Sequence, residues 1–457
     1  VEQLAQENAQ LRQLLDLRTQ IMGPSQAVEV LYDTADPYTD RVVVDRGQMA
    51  GIVPGAAVID AVGVVGQVTR VYPLVSEVTL LTDREQSIPV MNARTGDASG
   101  LGDWDVNHER FPNGLGALVK AAEDSKMKFG LWFEPEMINP RSDLFSKHPD
   151  WVLRSPDREL VLERNQAVLD LTNPAVRDFV FKTVDDVLTG NPGIRLVKWD
   201  ANSSIHNPYS PHLAADRQGD LLWRYFDGYY GVLDRLVEKH PAVDFQACSS
   251  GSGRADHGAM KYSHTFWVSD NTNPLYRLGA QWNYSTFLPA IATCHVTHSG
   301  DFKPKFRFDV SMMGQLGLEI DPRRSEPEFQ SAAKTGVAAY KQVRDIVQFG
   351  DQFRHASPFD SESPSLNYVS RDKSRALVLV YQLSDRKTAC TPVSGLDPAK
   401  TYELGEINLP AGDEQSRIGT LDTRTKSGRA WMEEGISLVF TRRNDSAALV
   451  LTDVAGK

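Results

Sequence analysis

The chain has 457 residues, of which 41% are hydrophobic and 24% charged, and it carries a net charge of −11. This composition excludes disorder as the dominant state, and the negative charge disfavours binding to nucleic acid or to anionic lipid. At ~150 residues per domain, the length predicts about three folding units.

The cysteines and the apolar stretches limit the class of protein further. Cys248, Cys294 and Cys390 are too few and too scattered for a disulfide framework, which favours a reducing compartment. The most apolar stretch, residues 51–71, is interrupted by Asp60, whereas a membrane-spanning helix needs ~20 predominantly apolar residues. We therefore expect no membrane span in this chain.

Residues 1–27 predict a short coiled-coil helix. Leu4, Asn8, Leu11 and Leu15 follow the 4-3-4 spacing of a coiled-coil seam, with an asparagine of the kind that fixes register. Because coiled coils are usually sustained over roughly three to four heptads, an ordinary surface helix stays open as the alternative.

Residues 28–96 change to a β texture. Short valine-rich runs alternate with Asp-Pro, Arg-Gly, Pro-Gly and Val-Gly pairs, a pattern that is typical of a small all-β barrel or sandwich. A separate β domain is therefore expected after the first helix.

Residues 97–350 alternate between helix-like segments and short apolar runs. Such alternation predicts parallel strands joined by helical crossovers, as in a TIM-type (β/α) barrel, here with about six strands. The expected helices are residues 114–125, 175–188, 219–240 and 328–347, and the expected strands are residues 128–134, 194–200, 243–250, 264–270, 290–296 and 305–311. Residues 351–457 have strand-like runs without intervening helices and predict a C-terminal antiparallel β-sandwich.

Chemically active side chains cluster where the predicted strands end. In a parallel α/β barrel the loops after the strands converge on one face. Two of these strand ends carry an aspartate beside a tryptophan, Asp200 and Asp270. A glycosidic bond is cleaved by two carboxyl groups, and aromatic rings cover the apolar face of a sugar. Each aspartate taken alone is more often a solvated loop acid or a helix cap. Lys198, two residues before Asp200 on the same side of the strand, is expected to hold that carboxylate ionised.

From about residue 97 to the C-terminus, the amino-acid sequence resembles that of the α-galactosidases of glycoside hydrolase family 36. The motifs that carry the resemblance are LGDW (101–104), KFGLWFEPEMINP (128–140), HPDWVL (148–153), RNQAVLDLTNP (164–174), KWDAN (198–202), CSSGSGR (248–254) and WVSDNTN (267–273). The resemblance implies Asp200 as the nucleophile and Asp270 as the acid/base of a double displacement with retention. It further implies galactose contacts from Trp132, Arg164, Lys198, Asn202, Cys248, Gly251, Ser252 and Trp267.

The same resemblance implies α-galactoside oligosaccharides as substrates, no metal or cofactor, a possible homo-oligomer and a cytoplasmic location. The loop at residues 248–254 is poorer in glycine than the family's, and Ala201 and Ser203 replace residues common there. The family's N-terminal sandwich and first two barrel strands, the second of which ends in a galactose-binding pair of aspartates, find no counterpart before Leu101. We therefore expect an incomplete barrel and poor or no turnover.

The first part of the chain contains the segments ENAQLRQLLDLR (7–18), AVEVLYDTADPYTDRVVVDRG (27–47), GIVPGAAVIDAVGVVGQVTRVYP (51–73) and SEVTLLTDREQSIPV (76–90). With these segments, residues 1–95 resemble the rod shape-determining protein MreC, a periplasmic scaffold of cell-wall synthesis. Two other function hypotheses follow: an MreC-like cell-shape scaffold, which would favour the periplasm, or a chimeric chain with no single native function.

Other constellations are weaker. His295 and His298 have a spacing that would suit zinc on a helix, but the segment is predicted as a strand end, where they face opposite sides. Ser249 and Ser250 lack a serine-hydrolase elbow, and Cys248 is interpreted as a packing residue rather than a nucleophile.

Overall fold

The computed structural model describes residues 25–33, 41–53, 56–59, 64–80, 101–108, 111–297, 302–319, 326–409, 416–419 and 424–456. The chain divides into two compact units, Val1–Ala98 and Ser99–Lys457. The first 24 residues, which contain the predicted coiled-coil seam, lie outside the described residues.

The first unit contains a five-stranded antiparallel sheet with the order β1-β2-β5-β4-β3. Its strands are β1 (Val30–Asp33), β2 (Arg41–Val44), β3 (Ala57–Ile59), β4 (Val64–Val71) and β5 (Ser76–Leu80). Valines from the inner face form its small core, led by Val44 and Val78. Alternating valines thus form the β unit that the sequence predicts.

The second unit is built on a six-stranded parallel sheet whose strands follow one another in chain order. The strands are β6 (Phe129–Phe133), β9 (Ile194–Trp199), β10 (Asp244–Ala247), β11 (Thr265–Trp267), β12 (Thr293–Thr297) and β13 (Gln315–Leu318). Within the described residues, the outer strands β6 and β13 each pair with a single neighbour, so the sheet stays open. The predicted incomplete barrel is confirmed.

Helices precede, separate and follow these strands in the chain. They are α1 (Gly116–Asp124), α2 (Asp143–Lys147), α3 (Pro174–Gly190), α4 (Leu221–Lys239), α5 (Pro274–Tyr284), α6 (Pro304–Ser311) and α7 (Pro327–Phe349). In α3, Pro174 occupies the first turn and the Asn173 side chain accepts from the Ala175 N–H, which is a favourable start for a helix. Its stripe of buried valines packs into the main core. A short antiparallel strand pair, β7 (Met137–Ile138) with β8 (Ala167–Val168), follows β6 in the chain.

One predicted strand is wrong. Residues 305–311 form helix α6, and the sixth strand of the sheet is β13, a little further along the chain. This segment is predicted as a strand because it is a short apolar run between helix-like segments. All seven residues are buried, so the helix has no polar face to reveal its period. Lys305 and Asp309, one helical turn apart, form a buried ion pair at 2.9 Å.

The C-terminal part is antiparallel, as predicted. One sheet has the order β14-β15-β16-β21-β18-β19 and a second pairs β17 with β20. The elements are β14 (Asp351–Ala356), β15 (Ser365–Val369), β16 (Arg375–Gln382), β17 (Thr388–Thr391), β18 (Thr401–Ile407), β19 (Thr425–Ser427), α8 (Gly428–Glu434), β20 (Ile436–Val439) and β21 (Asp445–Asp453). Side chains of both sheets, with the fully buried Trp431, share one core.

Candidate functional site

Asp200 follows β9 directly and is buried, with 6% of its surface exposed. Its Oδ2 accepts a hydrogen bond from Trp132 Nε1 at 2.9 Å. Its Oδ1 accepts from the backbone N–H groups of Ala201 and Ser249 at 2.9 Å each, and from that of Ser250 at 3.4 Å. Several donors are therefore aimed at one buried carboxylate.

These donors decide the charge of Asp200. Burial acts to raise its pKa, but hydrogen bonds from Trp132, Asn202 and other donors outweigh burial and hold the pKa below its usual range. The sequence analysis attributed this ionisation to Lys198. In the structure the Lys198 ammonium lies 4.0 Å from the centre of the Trp267 ring instead, as a cation–π contact. That attribution is corrected: the hydrogen bonds keep the carboxylate ionised.

Asp270 lies just beyond β11 and is exposed. Its Oδ1 accepts from Trp267 Nε1 at 2.7 Å. Helix α5 begins a few residues later, where the Asn273 side chain caps the N–H groups of Leu275 and Tyr276. The loop that carries Asp270 is thus held between a strand end and a capped helix.

A single loop touches both aspartates. Ser249, Ser250 and Gly251 have φ angles of 78°, 50° and 95°, so three successive residues are left-handed. This turn directs the amides of the two serines at Asp200. A Cβ on Gly251 would come within 3.1 Å of the Asp270 backbone N, which explains why the position needs glycine.

Cys248, at the start of this loop, is buried with 2% exposure. Burial and the nearby Asp200 charge raise the pKa of its thiol to about 12. A thiol that stays protonated is not an activated nucleophile, and Cys248 packs against Trp267 in a small apolar cluster. This geometry fits the packing role that the sequence analysis gave it.

Glu134 belongs to the same site, although the sequence alone assigns it no role. It is 1% exposed and accepts a short hydrogen bond from the Asn202 backbone N–H. Burial first and then the Asp200 charge raise its pKa to about 8, while the charge of Arg164 acts in the opposite direction. Its place at the end of β6, beside Trp132, was the only signal in the sequence.

Glu136, two residues further on, has a structural role. It is fully buried and forms an ion pair with Arg254, whose Nη2 lies 2.8 Å from Glu136 Oε2. Tyr225 and Trp199 donate two further hydrogen bonds, at 2.6 and 2.7 Å. Every oxygen of this carboxylate is engaged by the protein, so it offers nothing to a substrate.

The remaining residues that the sequence selected lie in the same loops. Arg164 is exposed and left-handed, with φ 54°, and Asn202 is buried after Asp200. Ser252 follows Gly251, and its carbonyl oxygen accepts from the Tyr284 hydroxyl at 3.3 Å. His298 lies outside the described residues.

The described residues offer neither a cluster of metal ligands nor a membrane-spanning helix. No group of three His, Cys, Asp or Glu side chains there is arranged to hold a metal ion. No helix there is long and apolar enough to cross a membrane.

Three family profiles match parts of the chain, and two of them overlap. The melibiase profile matches residues 90–350, and the profile of the glycosyl hydrolase family 36 C-terminal domain matches residues 363–452. The profile for the barrel core of the rod shape-determining protein MreC matches residues 30–124.

Curated relatives agree with the melibiase match. Alpha-galactosidase AgaA of Geobacillus stearothermophilus is 38% identical over 338 residues, which cover 71% of this chain and 46% of that protein. Alpha-galactosidase Mel36A of Lactobacillus acidophilus is 36% identical over 339 residues, which cover 72% and 46%. The chain therefore spans about half the length of the curated relatives that it matches.

Solved structures show the same similarity. The crystal structure of the Geobacillus stearothermophilus enzyme AgaA matches with a TM-score of 0.72 at 26% identity, over 92% of this chain and 68% of that one. A substituted form of AgaA has been solved in complex with raffinose. The galactosidase domain of the alpha-galactosidase-sucrose kinase AgaSK matches with a TM-score of 0.69 at 32% identity, over 78% of this chain and 48% of that one. Since the melibiase profile alone covers more than half of its residues, the chain belongs to the melibiase family, within glycoside hydrolase family 36.

Proposed function

We propose that this chain hydrolyses terminal α-D-galactosyl groups by double displacement, with Asp200 as the nucleophile and Asp270 as the acid/base. The observation that carries the proposal is the state of Asp200: a buried carboxylate, ionised by donors from three segments, beside the loop that also contacts Asp270. We expect the two carboxyl groups to be about 5–5.5 Å apart, the separation found in retaining glycosidases.

The roles follow from this arrangement. Asp200 attacks the anomeric carbon while protonated Asp270 gives its proton to the leaving oxygen, and water then hydrolyses the galactosyl-enzyme with Asp270 as the base. The Trp132 indole N–H and the loop amides keep the nucleophile oriented. For galactose contacts we propose the residues that the family resemblance implies: Trp132, Arg164, Lys198, Asn202, Cys248, Gly251, Ser252 and Trp267.

The open sheet limits the rate that we expect. Two charged contacts to substrate hydroxyls, at ~1.5–3 kcal/mol each, are expected to be lacking. We therefore predict turnover below the ~1 per second at the lower end of ordinary enzymes.

The test is hydrolysis of a nitrophenyl α-galactoside by the purified chain, together with the shift in melting temperature that galactose produces. We expect slow hydrolysis that Asp200→Ala and Asp270→Ala each abolish, and we expect azide to restore part of it in Asp200→Ala by taking the nucleophile's place. The absence of both galactose stabilisation and Asp200-dependent hydrolysis would refute the proposal.

The MreC match favours a second candidate, an MreC-like scaffold role for the first unit. The five-stranded antiparallel unit supports this scaffold role, which requires no catalytic residue.

We place the chain in the cytoplasm because its cysteines are free, whereas the scaffold role would favour the periplasm. Light scattering of the purified chain tests the homo-oligomer that the family resemblance implies.

A further inference from the structure

A second buried carboxyl group lies beside the proposed nucleophile. We propose that Glu134 is a positioning residue that holds Asn202 next to Asp200, and that a negative charge on Glu134 lowers turnover. This inference rests on the proposed function, because it takes Asp200 as the nucleophile.

The contacts of Glu134 lead directly to Asp200. Glu134 Oε1 accepts from the Asn202 backbone N–H. The Asn202 side chain also acts on both carboxyl groups, where it lowers the pKa of Glu134 and of Asp200. Asn202 is 5% exposed, so these bonds are made away from water. One residue thus connects the two acids, and a change of charge on Glu134 is transmitted to the nucleophile.

The other oxygen of Glu134 faces an amide that suits a neutral carboxyl group. Gln166 Nε2 lies 3.3 Å from Glu134 Oε2. Gln166 Oε1 is buried and has no hydrogen-bond partner among the described residues. A half-turn of this amide presents its oxygen to Glu134, where it accepts the proton of the neutral acid. The surroundings therefore accommodate a protonated Glu134.

Electrostatics gives the two acids different charges. The charged groups that act on Glu134 are Asp200, which disfavours its ionisation, and Arg164, which favours it. Burial and Asp200 prevail and raise the pKa of Glu134 to about 8, whereas hydrogen bonds lower the pKa of Asp200. At neutral pH Glu134 is therefore neutral, and Asp200 carries the negative charge. Above about pH 8 both carboxyl groups are charged and repel each other.

The test uses Glu134→Gln, which keeps the shape and the hydrogen bonds but cannot ionise. The matched control is Glu163→Gln, a partly exposed glutamate whose partners are Ser204 and His206. The reporter is the ¹⁵N-labelled indole N–H of Trp132, which donates to Asp200; Trp132→Phe identifies its resonance. We expect this resonance to titrate near pH 8 in the wild type and in the control, and not in Glu134→Gln.

The rate of hydrolysis provides the second measurement. With a group titrating at about pH 8, wild-type turnover should fall about tenfold between pH 7 and pH 9. Glu134→Gln should lose this fall in kcat, while KM changes little.

Two results would overturn the inference: an unchanged titration in Glu134→Gln, or no titration of the Trp132 signal in the wild type. A titration that disappears in Glu134→Gln, in a chain that shows no hydrolysis and no galactose effect at any pH, would support the placing of Glu134 and refute the proposed function instead.

Discussion

Replacement of Arg254 by methionine tests the ion pair beneath the site. Arg254 and Glu136 are both buried, and the guanidinium lies 4.3 Å from the centre of the Tyr229 ring. Arg254→Met keeps much of the apolar volume but leaves Glu136 with only the neutral donors Tyr225 and Trp199. A buried carboxylate then has no opposite charge in contact with it.

The expected loss of unfolding free energy is about 3–5 kcal/mol, the usual result when one partner of a buried ion pair is removed. The matched control is Arg235→Met, because Arg235 and Asp178 form a pair at 2.7 Å whose side chains are 44% and 70% exposed. An exposed pair of this kind contributes at most ~1 kcal/mol.

Urea unfolding followed by tryptophan fluorescence measures both variants. All eight tryptophans lie after residue 99, so the signal reports on the second unit alone. In the double variant Glu136→Gln, Arg254→Met the uncompensated charge is gone, and we expect part of the stability to return. A loss below ~1 kcal/mol in Arg254→Met, equal to that of the control, would refute the reasoning.

Three further predictions concern the site and the core. Trp132→Phe removes a charge-assisted hydrogen bond to Asp200, so kcat/KM should fall ~10- to 100-fold. Because the loss of this bond raises the pKa of Asp200, the acid limb of the pH profile should move to higher pH. Gly251→Ala should reduce the rate of hydrolysis, because the φ of Gly251 is 95° and the added Cβ would crowd the loop. The control Gly231→Ala, where the added Cβ meets open space on α4, should leave the rate unchanged. Equal rates in the two variants would contradict this prediction. His295 is fully buried, and burial holds its pKa well below 6.5. The unfolded chain therefore binds a proton more readily than the folded chain, and stability should fall as pH drops below about 6.5. The melting temperature of His295→Gln should fall less than that of the wild type over the same pH range.

The two proposed catalytic aspartates could be predicted from sequence because their signal is local. Asp200 and Asp270 each follow a short apolar strand. Asp200 comes directly after Trp199, and Asp270 comes three residues after Trp267. A residue that ends a parallel strand reaches the rim of the sheet whatever the distant packing is. The family resemblance then supplied the roles, which remain proposals.

Packing between distant segments could not be predicted in this way. Glu134 and Glu136 lie at the same strand end. The pKa of Glu134 is raised beside Asp200, whereas Glu136 forms an ion pair with Arg254, 118 residues away. Nothing in the local sequence distinguishes them. Helix α6 was missed for a related reason, because burial on every side removes the polar face by which a helix is identified.

The most direct measurement of the central claim is the capture of a galactosyl-enzyme. In Asp270→Ala, an aryl α-galactoside with a good leaving group still reacts with the nucleophile, but the base needed for hydrolysis of the intermediate is missing. We predict that peptide mass spectrometry finds one galactosyl residue attached to Asp200, and none when Asp200→Ala is added. An adduct on another residue, or hydrolysis that continues unchanged in the double variant, would contradict the account.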